Sequence, residues 1–423
     1  MVNVRRLLVF VLGLICGLAL NVEIVFATNG TNLHGIGPIS TSMGGVGIAQ
    51  PLDSLSVVFS NPAGATADGE LKYDFDIGGS LLMPKARATI NISGSTISDR
   101  SAEHVFVVPN IAVSVPLNNA WSVGFGMAGA SGFGVDYRNT KIEQPYFYNL
   151  GALGKLPLTA VSLAQLQVLK VAPYVSYRPT DKLSFGISPQ INYGIFDLGN
   201  GSTNGYSLGV LLGTRYKLTD IVSLGATYTS AQNINYKNIY DLNSDGSADN
   251  FKLESPQQVG FGVAVEPLKD VLLFETDLKW LNWANAKGYK ESDWEDQWVV
   301  GLGVQYKPIK HLSLRTGYNY GKNPIKTHNN FIGSTMSEIQ GKQLPTYYYE
   351  TFRIIGTPLL IEHNLSFGVG YKVSDRVSLH AGYTHMFKNS IKENGTDILG
   401  QPVTLESTVS GDSIDFGFVW RLK

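Results

Sequence analysis

Apolar residues and small polar residues alternate along much of this chain. Between positions 365 and 372 the odd positions are Leu365, Phe367, Val369 and Tyr371, whereas the even positions are Ser, Gly, Gly and Lys. The segment 414–422 repeats the pattern, with a large apolar residue at every even position. Successive side chains of a β-strand point to opposite faces, so this alternation predicts strands with one apolar face.

Short polar turns separate the predicted strands. Six segments place a turn containing Pro, Asp or Asn between alternating stretches, which is the pattern of a β-hairpin. These segments are 115–123, 177–185, 216–224, 266–274, 306–314 and 371–379. Their spacing varies, which argues against a solenoid repeat. Fourteen strands are predicted in all, at 71–82, 104–116, 120–137, 168–178, 182–198, 206–217, 222–233, 256–266, 270–284, 294–307, 311–321, 362–373, 376–388 and 411–422.

The apolar face of these strands favours contact with lipid. Tyr177, Tyr216, Tyr306 and Tyr371 each lie on that face just before a turn, where the interfacial aromatic girdle of a membrane barrel belongs. The opposite face is rich in Gly and Ser and is too small to form half of a sandwich core. We therefore predict an all-β fold, a 14-stranded antiparallel transmembrane β-barrel, in preference to a periplasmic all-β protein.

Composition and targeting signals agree with an exported membrane protein. Charged residues make up 16% of the 423-residue chain, below the roughly 25% of soluble domains. The net charge of −1 leaves no basic excess for nucleic acid. Arg5 and Arg6 precede an apolar run at 7–20, which predicts a signal peptide at 1–27 cleaved after Ala27. A lipid anchor on Cys16, the single cysteine, is the alternative.

Three motifs resemble the FadL family of outer-membrane barrels, which take up long-chain fatty acids and hydrocarbons. A Gly-rich stretch ends in Asn61, Pro62, Ala63 and Gly64, and is similar to the family's N-terminal hatch. Pro256 with the run 277–283 looks like the family's Pro…Asp-x-x-Trp-x-x-Trp stretch, and 362–368 resembles its Glu-His…Gly strand entry. The chain departs from the family in ending on Lys423 instead of an aromatic residue. The implied organisation is a signal peptide at 1–27, a hatch at 28–70 and a barrel at 71–423.

The resemblance also implies a mechanism. An amphipathic substrate binds to apolar outer loops, moves into a lumen pocket beside the hatch, and leaves sideways through the wall at a kinked third strand. Two apolar loop stretches suit the first step, at 146–170, whose second half is predicted to be an amphipathic helix, and at 347–361. The substrate-binding candidates are Phe147, Leu163, Leu166, Phe352, Arg215, Lys279 and Arg315. The candidates for the lateral opening are Gly129, Gly132 and Gly134, because glycine in a strand marks bulges and kinks.

Other functions receive less support from the sequence. Ser378 and His380 share a strand face, as an esterase pair would, but no third orienting residue or nucleophile motif accompanies them. We expect no enzyme activity, no cofactor and no metal site. The open alternatives to fatty acid uptake are uptake of aromatic or aliphatic hydrocarbons and a structural or general-diffusion porin. The expected partners are a hydrophobic small molecule, outer-membrane lipid, lipopolysaccharide and the barrel assembly machinery, for a monomer in the outer membrane of a Gram-negative bacterium.

Overall fold

A computed structural model describes residues 29–66, 73–143, 156–242 and 245–422 of the chain. The predicted signal peptide, Cys16 and Phe147 lie outside these residues. No helix of the described part is long and apolar enough to cross a membrane.

Fourteen antiparallel strands close into a barrel, which confirms the predicted fold class. The strands of the described chain are β1 (Tyr73–Ile92), β2 (Ser95–Arg100), β3 (Phe106–Pro116), β4 (Trp121–Asp136), β5 (Leu163–Tyr177), β6 (Leu183–Asp197), β7 (Thr203–Lys217), β8 (Val222–Thr229), β9 (Gln232–Tyr240), β10 (Asp249–Ser255), β11 (Gln258–Leu268), β12 (Leu272–Leu281), β13 (Gln297–Ile309), β14 (Leu312–Gly321), β15 (Phe331–Ile332), β16 (Met336–Ile339), β17 (Lys342–Pro345), β18 (His363–Lys372), β19 (Val377–Thr396) and β20 (Pro402–Leu422). The barrel closes where β1 pairs with β20, from Tyr73 opposite Leu422 to Ile92 opposite Val403. The wall itself consists of β1, β3–β8, β11–β14 and β18–β20.

Three wall strands are longer than the alternation predicted. β1, β19 and β20 have 20, 20 and 21 residues, about twice the 9–11 that cross a bilayer. In β1 the large apolar side chains at lipid-facing positions stop near residue 83. The sequence pattern therefore predicted that the strand ends there. The strands continue because their inward side chains, including Ala88 and Ile90, are buried beneath the outer loops.

The predicted helix in the second half of 146–170 is wrong. Residues from Leu163 onward form β5, because every second residue there points into the barrel and packs on its neighbours. The strand pair β9 and β10 was not predicted at all. It forms an outer hairpin whose apolar residues pack on the other outer loops.

The segment before β1 folds inside the barrel. It contains two short helices, α1 (Pro38–Ser42) and α2 (Ser54–Phe59), followed by a 3₁₀ turn at Pro62–Thr66. α1 contacts β14 and β18–β20, α2 contacts β1 and β3–β5, and the turn contacts β3–β7. Residues 29–66 therefore occupy the lumen as a hatch.

The girdle tyrosines predicted from the turns lie on the outer surface. Tyr177, Tyr216, Tyr306 and Tyr371 expose 38–54% of their surface. Trp121 joins them and stacks on Tyr177, with ring centroids 4.4 Å apart. They mark the end of the barrel that carries the short turns.

Candidate functional site

The Asn-Pro-Ala-Gly turn fixes the hatch to the wall. The Asn61 amide is fully buried and donates to the carbonyl oxygens of Ile48 (2.7 Å) and Thr214 (3.1 Å), while its own oxygen accepts from the Ala63 N–H. Thr214 belongs to β7, so one side chain joins the hatch to the barrel. At neighbouring Gly213 a Cβ would lie 2.0 Å from Asn61 Oδ1, so the wall needs glycine there.

Carboxylates of the wall hold the backbone of the hatch. Asp277 Oδ2 accepts from the N–H groups of Gly47 (2.9 Å) and Ile48 (3.2 Å), and Glu275 Oε1 accepts from Ala49 and Gln50, each at 2.9 Å. On the opposite wall Asp76 Oδ2 accepts from the first N–H groups of α2, Ser54 (2.7 Å) and Leu55 (3.2 Å). The hatch is thus held at two sides of the lumen.

The three basic residues predicted to bind substrate lie near the hatch. Arg215 donates through Nε to the Ala49 carbonyl (2.6 Å), and Lys279 donates through Nζ to the Gly45 carbonyl (2.9 Å). Arg315 donates to Gln305 Oε1 (2.8 Å) and lies 3.3 Å from Nδ1 of His380. These contacts give the residues a structural role, and their role in substrate binding stays a prediction.

A cavity of about 120 Å³ lies between the hatch and the wall. Its apolar lining comes from Leu33, Ile36, Ile48, Phe59, Leu211 and Val259. Lys170, Lys279 and His34 bring nitrogen atoms to it, and no carboxylate of the described residues lines it. The wall and the hatch therefore enclose a partly apolar space with two cations.

Lys170 is the cation of this cavity that does not hold the hatch. It lies on the inward face of β5, and its Nζ donates to Gln190 Oε1 at 3.1 Å. His34 Nε2 has no hydrogen-bond partner in the described structure, and burial lowers the pKa of His34 to about 4. His34 is therefore neutral at physiological pH. The sequence prediction missed Lys170, although it is a lone cation among apolar inward positions of 163–175.

The wall is incomplete beside this cavity. β3 pairs with β4 only from Asn110–Ala128 to Pro116–Ser122, so the described residues of β4 beyond Ala128 are not paired with β3. A bulge between Gly129 and Ser131 interrupts the pairing of β4 with β5 at the same level. Ala130, in the bulge, lines the cavity. A gap between β3 and β4 therefore lies beside the lumen.

The first residues of the hatch cover the free edge of β4. Leu33 N–H donates to the Ala130 carbonyl (3.2 Å), and Gly132 N–H donates to the Thr31 carbonyl (2.9 Å). Ser131 Oγ donates to the same Thr31 oxygen (2.9 Å). Gly129 and Gly132 thus flank the bulge, and Gly134 lies two residues beyond. Their role in a lateral opening stays a prediction.

The two apolar stretches predicted as loops meet at the outer end of the barrel. Tyr347 and Tyr348 donate through their hydroxyls to the carbonyls of Leu158 (2.8 Å) and Pro157 (3.0 Å). Between these stretches and the β9–β10 hairpin lies a cavity of about 280 Å³, lined by Pro157, Ala160, Val161, Tyr240, Asp241, Leu242, Ile339, Leu344, Pro345, Tyr348 and Phe352. Phe352, a predicted contact, therefore faces a mainly apolar outer cavity.

A row of phenylalanines runs inward from this cavity. The ring of Phe352 lies 6.3 Å from Phe251, Phe251 lies 6.1 Å from Phe196, and Phe196 lies 6.2 Å from Phe133 of β4. Leu163 and Leu166 are buried at the start of β5, and Leu166 belongs to the same apolar cluster. The row joins the outer cavity to the strand that carries the bulge.

A buried ion cluster holds the outer loops together. Arg353 donates through NH1 to Glu350 and to Glu393 (3.2 Å), and lies 2.9 Å from His328 Nδ1. Burial alone would raise the pKa of Glu350, but hydrogen bonding from His328 and the Arg353 charge hold it below its usual range. The possible metal ligands of His328, Glu350 and Glu393 lie within 4.8 Å of one another, and the Arg353 guanidinium already bonds to this group. The cluster is therefore a set of ion pairs.

Comparison with known proteins confirms the resemblance that the motifs indicated. Residues 196–333 match the family model described as outer membrane protein transport protein (OMPP1/FadL/TodX). No curated protein matches the chain in sequence.

Solved structures of this type share the fold over nearly the whole chain. The Pseudomonas putida toluene transporter TodX is 16% identical with a TM-score of 0.63, covering 91% of this chain and 99% of its own. A Pseudomonas aeruginosa FadL homologue is 14% identical with a TM-score of 0.65, covering 95% and 99%. The CymD monoaromatic hydrocarbon channel is 15% identical with a TM-score of 0.55, covering 93% and 99%. The fold and the family match together indicate a Gram-negative outer-membrane barrel.

Proposed function

We propose, on the premise that this chain is an outer-membrane barrel of the FadL/TodX type, that it takes up amphipathic carboxylates of the long-chain fatty acid class. Four parts of the molecule support successive steps of this route. They are the outer cavity, the phenylalanine row, the cavity beside the hatch, and the gap between β3 and β4.

The outer cavity is the entry site in this proposal. Its lining is mainly apolar, and the space of about 280 Å³ suits part of an alkyl chain. The phenylalanine row is buried, so a chain moving inward has to part these rings, and it then stays in contact with apolar side chains on the way to the lumen. Phe352, predicted from sequence, stands where both features meet.

Lys170 is the observation that favours a carboxylate as the head group. Its Nζ has a neutral amide partner, and the described cavity lining contains no acid to neutralise it. Lys170 is partly buried, and an ammonium withdrawn from water is costly without a partner of opposite charge. A carboxylate that enters the cavity supplies that partner, and His34 Nε2 offers an additional polar contact. The apolar residues of the cavity then hold the first carbons of the chain.

The gap in the wall is the exit in this proposal. It opens beside the cavity, and only the first residues of the hatch are paired with β4 there. Breaking these few hydrogen bonds frees a path from the cavity into the membrane. Gly129 and Gly132 give β4 the freedom to bend at that point.

Uptake of uncharged aromatic or aliphatic hydrocarbons by the same route is the alternative. The phenylalanine row favours it, because stacking on aromatic rings needs no charged head group. A general-diffusion porin is disfavoured because the hatch contacts the wall on many sides of the lumen.

Paired ligands test the proposal. Binding of a long-chain fatty acid and of its methyl ester is measured on the full chain by displacement of a fluorescent fatty acid. In Lys170→Met we expect fatty acid binding to weaken about ten- to hundredfold, because a charge-assisted hydrogen bond contributes about 1.5–3 kcal/mol. Binding of the ester should hardly change. Lys182→Met, at an exposed turn, is the control.

Two other outcomes of this binding experiment would change the proposal. Equal weakening of both ligands would make Lys170 a structural residue and favour the hydrocarbon alternative. If Arg315→Gln weakens only the acid while Lys170→Met has no effect, the head group binds at Arg315, as the sequence predicted.

A further inference from the structure

The outer rim of the barrel is not uniform. At the outer ends of β7, β8, β13 and β14 the lipid-facing positions carry the exposed aromatic residues Tyr206, Tyr228, Trp298 and Tyr320. Such residues form the usual interfacial girdle. On β1 and β19 the corresponding level carries the cations Lys85 and Lys388, with the exposed Phe387 of β19 beside Lys388. This difference marks one sector of the barrel for another kind of contact.

The height of these cations follows from the strand register. The inner girdle includes Tyr73, and about 10 residues of a tilted strand cross the bilayer, so the outer boundary lies near Met83 and its partner Asp412. Lys85 pairs with Ser410 one row higher on the same face, and the β19 bulge that contains Lys388 lies opposite Ser410. The cations therefore begin just above the hydrocarbon.

Four outward basic side chains form what we term the cationic patch: Lys85, Arg87, Lys388 and Lys392. Lys85 is 63% exposed and lies 3.1 Å from Asp412, which also accepts from His385 Nδ1 (2.9 Å). Glu406, opposite Lys392, is the other acid on this face of the three strands. The four basic side chains therefore exceed the two acids of this face, Asp412 and Glu406, by two.

An apolar groove lies directly below the patch on the same three strands and their neighbours. It has a volume of about 700 Å³, and Ile77, Leu81, Val107, Leu379, Phe416 and Phe418 are among its lining residues. Gly79 faces the lipid between Phe416 and Pro109 and leaves the hollow that larger side chains surround. From Gly79 to Lys85 is six residues, or about 20 Å along the strand.

Hydroxyl and amide groups lie among the cations of the patch and just above them on the same face. β1, β19 and β20 continue beyond the membrane, where the outward residues Thr89, Ser390, Thr408 and Ser410 share the rows of the cations and Asn91 and Thr404 lie above them. Such groups form hydrogen bonds with sugars as both donors and acceptors. One face thus presents an apolar groove and, above it, a surface in which cations alternate with hydroxyl and amide groups.

We infer that this face binds lipopolysaccharide, with an acyl chain in the groove, its phosphates on the cationic patch, and its sugars against the extended strands. A phosphorylated glycolipid matches the groove and the mixed surface above it, whereas a phospholipid has no sugar core for the hydroxyl and amide groups. Basic residues near a membrane surface attract anionic head groups. The inference concerns the outer wall and is independent of the transported substrate.

Binding of labelled lipopolysaccharide to the full-length protein in detergent tests the inference. In Lys85→Gln/Lys388→Gln/Lys392→Gln we expect affinity to fall at least about tenfold, given the contribution of each cation near a membrane surface. The control removes three exposed lysines of the outer loops, in Lys237→Gln/Lys252→Gln/Lys287→Gln. Heat-dependent gel mobility verifies that each barrel is folded.

A substitution in the apolar groove tests separately whether the groove takes part in binding. Ala381 lines the groove and faces lipid, so Ala381→Trp fills it and should also weaken binding. Ala226→Trp places the same side chain at a lipid-facing position of β8 as the control.

Four results would overturn the inference. They are equal affinities for the patch variant and its control, undiminished binding of dephosphorylated lipopolysaccharide, equal binding of phosphatidylglycerol vesicles, and an unaltered affinity in Ala381→Trp. The third would identify a general anionic-lipid surface. The last would remove the groove from the site.

Discussion

At the scale of single residues, the lumen is organised by polar groups that bond to backbone. Asn61, Asp277, Glu275 and Arg215 all satisfy peptide groups of the hatch, which has too little regular structure to satisfy them itself. Lys170 differs because its charge remains without a counter-ion in the described structure. This contrast separates residues that hold the hatch from the residue proposed to bind a ligand.

Asn61→Asp should release the hatch without unfolding the barrel. The carboxylate cannot donate to the carbonyls of Ile48 and Thr214, so a charge is buried against two oxygen atoms, at a cost of about 3–5 kcal/mol. We expect faster proteolysis within residues 29–66 under native conditions.

An exposed asparagine provides the control. Asn250 accepts a hydrogen bond through Oδ1 on the outer hairpin, and Asn250→Asp keeps an acceptor there. If Asn61→Asp and Asn250→Asp are cleaved at the same rate, Asn61 does not lock the hatch.

At the scale of elements, the outer loops form one packed unit. Arg353 follows α3 (Thr346–Thr351), and it donates to Glu393 of β19 and to the Ser292 carbonyl of another loop. It therefore joins three elements through one buried guanidinium. The outer cavity lies within this unit, so its shape depends on these ion pairs.

Arg353→Met should loosen the outer loops. Removing the guanidinium leaves Glu350 and Glu393 buried without their cation, which costs about 3–5 kcal/mol. We expect a lower temperature for loop unfolding, followed by Tyr fluorescence, and weaker binding at the outer cavity.

Lys322→Met removes one partner of an ion pair on the same outer surface. That pair, with Glu295 at 3.7 Å, is exposed and should contribute less than about 1 kcal/mol. An equal effect of the two substitutions would show that burial of the Arg353 cluster adds nothing to loop stability.

At the scale of the whole molecule, the barrel is a closed wall around a folded plug. α1, α2 and the Pro62–Thr66 turn contact most strands of the wall, and wall glycines make space for the plug backbone. The described lumen therefore provides cavities beside the hatch instead of a continuous water channel.

Deletion of residues 35–64 should open the barrel to small polar solutes. We expect large steady conductance steps in planar bilayers from the deletion variant and none from the intact chain, because the described hatch fills the lumen. Unboiled samples should still migrate anomalously on a denaturing gel, since the 14 strands pair with one another. A folded deletion variant with unchanged conductance would contradict the assignment of the plug.

The sequence by itself determined the wall of this protein. Side chains alternate with a period of two in a strand, and a lipid exterior requires large apolar residues at every second position. That local rule is visible at 365–372 and 414–422 and holds for the 14 wall strands. The Asn61–Gly64 turn was likewise recognisable, because its residue types are characteristic of a turn.

Only the tertiary structure decided where the lumen residues act. Arg215 and Lys279 were predicted to bind substrate, and in the folded chain they bond to hatch carbonyls more than 160 residues away in the chain. Lys170 lay where the helix predicted in the second half of 146–170 overlapped the strand predicted at 168–178, and its face became clear only when β5 paired with β4 and β6. The extensions of β1, β19 and β20 were missed because their outward residues lie above the lipid and are polar, while only the packing of the outer loops on their inner side keeps the strands going. The alternation of apolar and polar residues shows which face of a strand meets lipid and which meets the lumen. The partner of a lumen side chain depends instead on which distant segment of the chain folds against it.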